Sequence, residues 1–323
     1  EGQFGRSYNN AQLLTRLDMA TTIPMSFTVQ LAYNNMNYFR SGDFIFSSDK
    51  FMPALNKSIE FFGKVKMSRP FLNNYKTVLS LGIAHHKDFY SQSRNVDLRE
   101  FRYDCNRHNI FGGSVTFTGN TLNTIQYPTS GRSETIRAFI GTENDLYRPQ
   151  NEYSPDYHSI DRSWLQIEAN LEHYFKIGSH LTLGSMLEGY YSSRNFTTNY
   201  MATVMQARQF RPTVNSQFIF DPDYCANAYF AAGIKPIFII NSIFHLRSEL
   251  YYFQPTRPIT NVDGKAVYGK VLGGTQFMGE LAFVAKYQKF SFNAFIDMST
   301  SNNTPYMMGL TLGILMPNEW FIE

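Results

Sequence analysis

The feature that most constrains this chain is a two-residue rhythm: Phe27, Val29, Leu31 and Tyr33 are large and apolar, while Ser26, Thr28, Gln30, Ala32 and Asn34 fill the gaps. Successive side chains of a strand point to opposite faces, so strict alternation sets one face against something oily and the other against something wet. The rhythm recurs along the whole chain. It is clearest where Leu165, Ile167, Ala169 and Leu171 alternate with Gln166, Glu168, Asn170 and Glu172, and where Leu281, Phe283, Ala285 and Tyr287 alternate with Glu280, Ala282, Val284 and Lys286. It predicts an all-β fold, a transmembrane antiparallel β-barrel with a polar interior. Soluble sheets also alternate, so a large β-sandwich or propeller is the competing reading.

Composition fits a barrel. Only 17% of residues are charged and 16% are aromatic, yet the mean hydropathy of −0.31 is that of a soluble protein, because each lipid-facing residue is offset by a polar interior one. No stretch has the roughly 18 unbroken apolar residues that a spanning helix needs.

About thirteen segments have the ~9–11 residue length of a tilted membrane strand. They lie near 11–20, 25–36, 57–67, 75–86, 110–120, 132–141, 163–175, 181–191, 226–235, 243–253, 277–287, 289–299 and 306–316. Short connections (21–24, 68–74, 121–131, 176–180, 236–242, 288) alternate with long ones (37–56, 87–109, 142–162, 192–225, 254–276). Outer-membrane barrels have short periplasmic turns and long external loops, which orients the chain.

With the last strand ending in the periplasm, counting back through thirteen strands puts residues 1–10 outside the cell. Bacterial single-chain barrels close with an even number of strands, and an open edge in lipid is costly. The expectation is therefore that one or three N-terminal strands precede this sequence, or that the segmentation is off by one. No signal peptide opens the chain although a barrel must be exported, so a processed or internal segment is expected, with residues 1–323 forming a single barrel unit.

A search for chemistry returns little. A serine hydrolase needs a nucleophile on a strained turn such as G-x-S-x-G; Gly184-Ser185-Met186-Leu187-Glu188-Gly189 has the wrong spacing and lies within a strand, and Asp263-Gly264-Lys265 reads as a tight turn in an external loop. His85 and His86 are adjacent on a strand, face opposite sides and cannot chelate one ion together. No metal site and no cofactor is implied. A net charge of +3 with no Lys/Arg run gives no nucleic-acid surface.

The remaining charges fall on the predicted interior face: Glu168, Glu172, Glu188, Arg247, Glu280 and Lys286, with Arg16, Asp18, Glu60, Lys64, Lys66, Arg137 and Glu249. Their signs are nearly balanced, which favours cross-strand pairing over a selective pore. The long 192–225 connection is expected to be a lid over or inside the barrel rather than a binding site. Tyr33, Tyr75, Tyr191, Tyr252 and Tyr287 are expected at the interfacial girdles. Cys105 and Cys225 both fall in predicted external loops, and a bridge between them requires those loops to bring the Cα atoms within roughly 7 Å. Their pairing is open.

Several stretches carry a family resemblance. Gly189-Tyr190-Tyr191-Ser192-Ser193, Ala226-Asn227-Ala228-Tyr229-Phe230-Ala231-Ala232-Gly233-Ile234-Lys235-Pro236 and Leu246-Arg247-Ser248-Glu249-Leu250-Tyr251-Tyr252-Phe253-Gln254-Pro255 resemble the C-terminal barrel of patatin-like phospholipases from Bacteroidota. Gly5-Arg6-Ser7-Tyr8, Arg16-Leu17-Asp18 and Asn35-Met36-Asn37-Tyr38-Phe39 resemble the same barrel further upstream.

The resemblance implies a fusion of an exported patatin domain, a small periplasmic module and a sixteen-stranded barrel of the BamA-like surface-antigen superfamily, entered here after its first three strands. The family's Ser-Asp dyad has no match in this sequence, so no catalytic residue is carried over. Such barrels also tuck an Arg-Gly-aromatic motif from the loop after the eleventh strand into the lumen, against an acidic strand residue. Arg194-Asn195-Phe196 is the nearest match, with Asn in place of Gly, and Glu249 is the implied partner.

The expected function is that of a Gram-negative outer-membrane barrel that anchors or displays an upstream patatin-like domain of the same polypeptide. That places it in lipid metabolism, with outer-membrane lipid around it and a homodimer or larger membrane complex as further partners. The alternatives are a stand-alone porin and a BamA-like insertase or secretion pore.

Overall fold

A computed structural model of the chain describes residues 2–4, 8–20, 24–38, 56–72, 74–91, 103–149, 158–287, 290–312 and 319–322. The strands are β1 (Gly2–Phe4), β2 (Tyr8–Met19), β3 (Met25–Tyr38), β4 (Asn56–Leu72), β5 (Tyr75–Tyr90), β6 (Asp104–Asn120), β7 (Gly131–Arg148), β8 (His158–Lys176), β9 (Leu181–Ser192), β10 (Arg208–Gln209), β11 (Cys225–Ala226), β12 (Ala228–Ile239), β13 (Phe244–Pro255), β14 (Ile259–Val262), β15 (Lys265–Tyr268), β16 (Gln276–Tyr287), β17 (Phe290–Ser299) and β18 (Tyr306–Leu312).

Among the described residues, 14 strands form one sheet in the order β1-β2-β3-β4-β5-β6-β7-β8-β9-β12-β13-β16-β17-β18, while β10-β11 and β14-β15 pair separately. Every neighbour pair in the large sheet is antiparallel. Each predicted segment has its strand, and the three-residue β1 is additional.

Alternation sorts the faces. One register row runs Val29, Val65, Leu81, Gly113, Ile140, Leu165 across six strands, and its large side chains all point outward and stand exposed. Exposed apolar side chains arranged as a continuous band around a sheet are stable only against lipid or a partner. The adjacent inward row runs Lys64, Gly82, Gly112, Gly141, Trp164.

Strands β4 to β8 are 17, 16, 17, 18 and 19 residues long, well beyond the predicted length. Segments expected to be loop at 68–72, 87–90, 104–109, 142–148 and 158–162 are strand. The reason is that pairing continues where the outward residues turn polar: His85, Asn109, Asn144 and Asp161 share one row. With both faces polar the alternation that marks a strand disappears.

The Asp263-Gly264 turn joins β14 to β15 as a two-residue hairpin, with φ of 50° and 78° at its two central residues. That is the type I′ geometry that favours Asp-Gly. The single described α-helix, α1 (Tyr200–Gln206), starts at Asn199, whose side chain accepts from the Ala202 amide.

Candidate functional site: the filled lumen

Three segments enter the interior, one from the long-loop end and two from the short-turn end. The first is the 193–227 connection. Ser193 is tied back to β8 through its amide to the Leu165 carbonyl (2.9 Å) and its Oγ to the Leu165 amide (2.9 Å), so the chain turns inward immediately after β9. Arg194 then lies buried against the β7–β8 wall. Its Nε donates to Glu143 Oε1 at 3.0 Å, its Nη2 donates to Glu143 Oε2, and its guanidinium stacks 4.7 Å over Trp164. Burial opposes the charge on Arg194, but the Glu143 carboxylate more than offsets this and holds the guanidinium above its ordinary pKa.

Further along, Asn199 donates to Tyr90 Oη (2.8 Å), Arg211 to Tyr38 Oη (3.2 Å) and Asn215 to Glu280 Oε2 (2.9 Å). Phe210 stacks on Phe253 at 5.6 Å, within a buried cluster that includes Tyr224, Tyr229 and Tyr251. The loop therefore touches β3, β5, β7, β8, β13 and β16 and spans the lumen. Asp221, at the head of the Pro222–Tyr224 turn, is buried and its carboxyl is pushed up, despite the hydroxyl of Thr304 donating to it.

The second segment is the 121–130 turn, which crosses to the opposite wall. Arg247 Nη1 donates to the Pro128 carbonyl and Lys286 Nζ to the Tyr127 carbonyl, both at 2.9 Å, while Asn293 donates to Tyr127 Oη at 2.7 Å. The Tyr127 ring is buried against Ala282, Val284 and Phe295.

The third segment is Glu319 to Ile322. Glu319 bridges Lys64 (3.2 Å) and Lys66 (2.6 Å), the Phe321 amide donates to Glu60 Oε2 (3.0 Å), and the Ile322 carbonyl accepts from Arg137 (2.6 Å) and Gln166 (3.1 Å). The Phe321 ring is buried beside Phe62 and Phe139, at 5.9 and 6.1 Å. Partial burial opposes ionisation of Glu319, but Lys64 and Lys66 more than offset it and hold its carboxyl below the ordinary glutamate range.

Room for these rings comes from the glycine row. A Cβ on Gly82 would lie 2.9 Å from Phe321 Cε2, and Cβ atoms on Gly112 and Gly141 would lie 2.4 and 2.6 Å from the Phe139 ring. Three interior-facing strand glycines in register were the sequence signal for a close approach here.

The Arg194–Glu249 contact implied by the resemblance does not form. Because β9 delivers Arg194 next to β7, Glu143 takes the guanidinium; Glu249, on β13, is held by Arg247 Nε at 2.7 Å and by the Tyr251 hydroxyl. Phe196 packs on Tyr268 at 4.3 Å, under the β14–β15 hairpin.

The other interior charges are held in several ways, and Glu280 stands in one row between Glu249 and Asp297 with Asn215 donating to it. Glu168, Glu188, Arg247 and Glu280 are buried on the inner face, with Glu172 and Lys286 half-buried. Lys235 bridges Glu172 at 2.6 Å, Tyr229 donates to Glu188, and Arg137 lies 4.0 Å from Glu168.

Of the predicted girdle residues, Tyr33 and Tyr191 stand exposed on the outer face and Tyr252 is half-buried there. Tyr75 is turned into a bond to Glu134 at the short-turn end, and the Tyr287 side chain falls outside the described residues. The cysteines do not bridge: both are free thiols. Cys105 belongs to β6 on the outer face, while Cys225 is buried in the plug, with its Sγ 3.4 Å from the Asp221 carbonyl, so the barrel wall separates them. Among the described residues no group of three His, Cys, Asp or Glu is placed to hold a metal ion.

No protein-family model and no curated protein matches the chain. Among solved structures it is similar to BamA from Haemophilus ducreyi lacking POTRA domains 1-3, with a TM-score of 0.61 at 13% identity over 97% of this chain and 63% of that one. Weaker likenesses are CdiB from Acinetobacter baumannii (TM-score 0.45, 5% identity, 96% and 60% covered) and the siderophore receptor PirA from the same organism (0.42, 9%, 94% and 47%). The BamA likeness shows the fold: an antiparallel transmembrane-type barrel of the BamA kind. The chain spans just under two-thirds of the BamA chain that it matches.

Proposed function

We propose that the chain is an outer-membrane barrel of a Gram-negative bacterium, of the Bacteroidota type, whose work is to anchor a patatin-like phospholipase domain lying upstream in the same polypeptide. The reading is carried by the filled lumen. Segments 193–227, 121–130 and 319–322 occupy it from both ends, and its arginines and lysines are tied to carboxylates or to carbonyls of those segments rather than lining an open path. An anchor needs an apolar belt and a closed interior; a solute channel needs the reverse. Lipid hydrolysis belongs, on this reading, to the upstream domain, since G-x-S-x-G is absent from this chain.

Conductance in planar bilayers tests the closed lumen: silence or brief flickering is expected, and a steady open pore brings the porin forward. The intact mass of the native polypeptide, with sequencing of its N-terminus, tests the anchor. A mass well above 37.3 kDa with a G-x-S-x-G serine upstream is expected; a native chain starting at Glu1 sinks it.

A further inference from the structure

We propose that the outer wall of β4 to β7, just above the apolar belt at the long-loop end, is a binding site for a phosphorylated lipid of the outer leaflet. The inference rests on the reading of the chain as a membrane barrel with its long loops outward.

A groove of about 770 Å³ lies on this wall, its apolar side formed by Leu31, Phe61, Ile83 and Phe111. All four point outward, so the groove is open to acyl chains of the surrounding bilayer. Its rim is the polar row, in which His85 Nδ1 lies 2.7 Å from Asn109 Oδ1 and Asn144 donates to Asp161 at 2.8 Å.

Two residues further along these strands, about 7 Å at the usual rise, Lys87 and Arg107 sit directly opposite each other on the outer face. Like charges so placed destabilise a sheet unless an anion lies between them. Among the described residues neither Lys87 nor Arg107 has a carboxylate in an ion pair, and the Arg107 Nε is shielded without a hydrogen-bond partner. The next row adds Lys57 and Arg148, with Phe89 and Cys105 between them. Against Lys57, Lys87 and Arg107, Asp161 is the one carboxylate that the described strands place on this stretch of outer wall.

Cations stacked over an apolar groove match a ligand with charge at one end and hydrocarbon at the other. Arginine with lysine is the pair suited to phosphate oxygens, and the groove separates a lipid phosphate from a free one. Basic clusters at a membrane boundary hold anionic headgroups in this way, each cation contributing about fivefold in affinity.

The test uses the protein extracted from its own membrane into dodecyl maltoside and stripped of lipid. Heat-dependent gel mobility confirms the barrel first; its absence in the wild-type protein defeats the barrel reading itself, separately from this inference. Binding of lipid A, its dephosphorylated form and phosphatidylcholine is then read by native mass spectrometry. Lipid A is expected to bind at least tenfold tighter than the other two. Lys87→Gln with Arg107→Gln should lower that affinity about thirtyfold, and each single variant about fivefold, so the single changes decide the matter if the double variant does not fold. Lys76→Gln with Lys176→Gln, at the short-turn end, should leave it unchanged. Equal binding of the three lipids by an intact barrel, no loss in the Lys87 and Arg107 variants, or complete displacement of lipid A by millimolar inorganic phosphate overturns the inference.

Discussion

Truncating Arg194 should release the interior loop without unfolding the barrel. Arg194→Ala removes two charge-assisted hydrogen bonds to Glu143 and the stack on Trp164. Breaking a buried pair costs about 3–5 kcal/mol, most of it from the charge left alone. Here Glu143 keeps Arg162, whose Nε lies 3.0 Å from its Oε1, so the lower end applies. About 3 kcal/mol corresponds to roughly two orders of magnitude in the opening constant of residues 193–227. Hydrogen exchange and limited proteolysis of that segment in the detergent-solubilised protein read this directly, because cleavage tracks the open population when opening is fast. Glu143→Gln should act on the same segment, and the double variant should fall short of the summed effects by about 1–3 kcal/mol. Glu249→Gln should combine additively with Arg194→Ala. Additivity for Glu143, or coupling for Glu249, refutes the assignment.

Three further outcomes follow from the same contacts. Phe321→Ala empties a fully buried aromatic site, a change that costs about 3–5 kcal/mol in a packed core, and Gly82→Leu puts side-chain atoms where that ring lies; both should free residues 319–322 to exchange, and unchanged protection in both means the tail is not held by this ring. Acidification should loosen the same tail: the Glu319 carboxyl titrates lower when docked than when free, so its stabilisation is present above the free glutamate pKa and is lost as pH falls through the docked value. Exchange of 319–322 rising below about pH 4 in the wild type but not in Glu319→Gln checks it, the relevant reference being the free glutamate pKa. Leu81→Arg, on the exposed apolar row, should cost about 2–4 kcal/mol of folding stability in vesicles; denaturant titration showing no loss would mean that this row does not face lipid.

The sequence made legible whatever lipid imposes locally, and hid whatever depends on distant partners. Bilayer contact forces every second residue, the outward one, to be apolar, so strands such as β8 and β16 are readable from ten residues at a time. The interior carries no such rule. Glu319 meets Lys64 across a separation of 255 residues, and Arg137 meets Ile322 across 185; nothing near either end of those pairs announces the other. Arg194 lies buried in the interior, but its partner there is Glu143 because Ser193 ties the loop to β8 through both its amide and its hydroxyl, a geometry that residue types alone do not encode. The 121–131 turn looked like an ordinary short connection, although Tyr127 within it anchors a buried cluster on the far wall.

The same physics explains why strands β4 to β8 run past their predicted ends, and why that matters. Where a wall rises out of lipid, its outer residues become polar while its inner ones stay polar, and a period of two loses its contrast. Lys87, Arg107 and Arg148 fall outside the predicted strands for that reason, yet pairing continues through them. A boundary that sequence patterning cannot see is thus the place where an apolar groove and a set of cations meet on one rigid sheet. On a loop those cations could part from one another; on opposed strands the ladder holds the backbones of Lys87 and Arg107 directly opposite each other, where like charges disfavour the pairing. Their proximity is therefore a standing cost to the fold, offset wherever an anion from the surrounding leaflet settles between them.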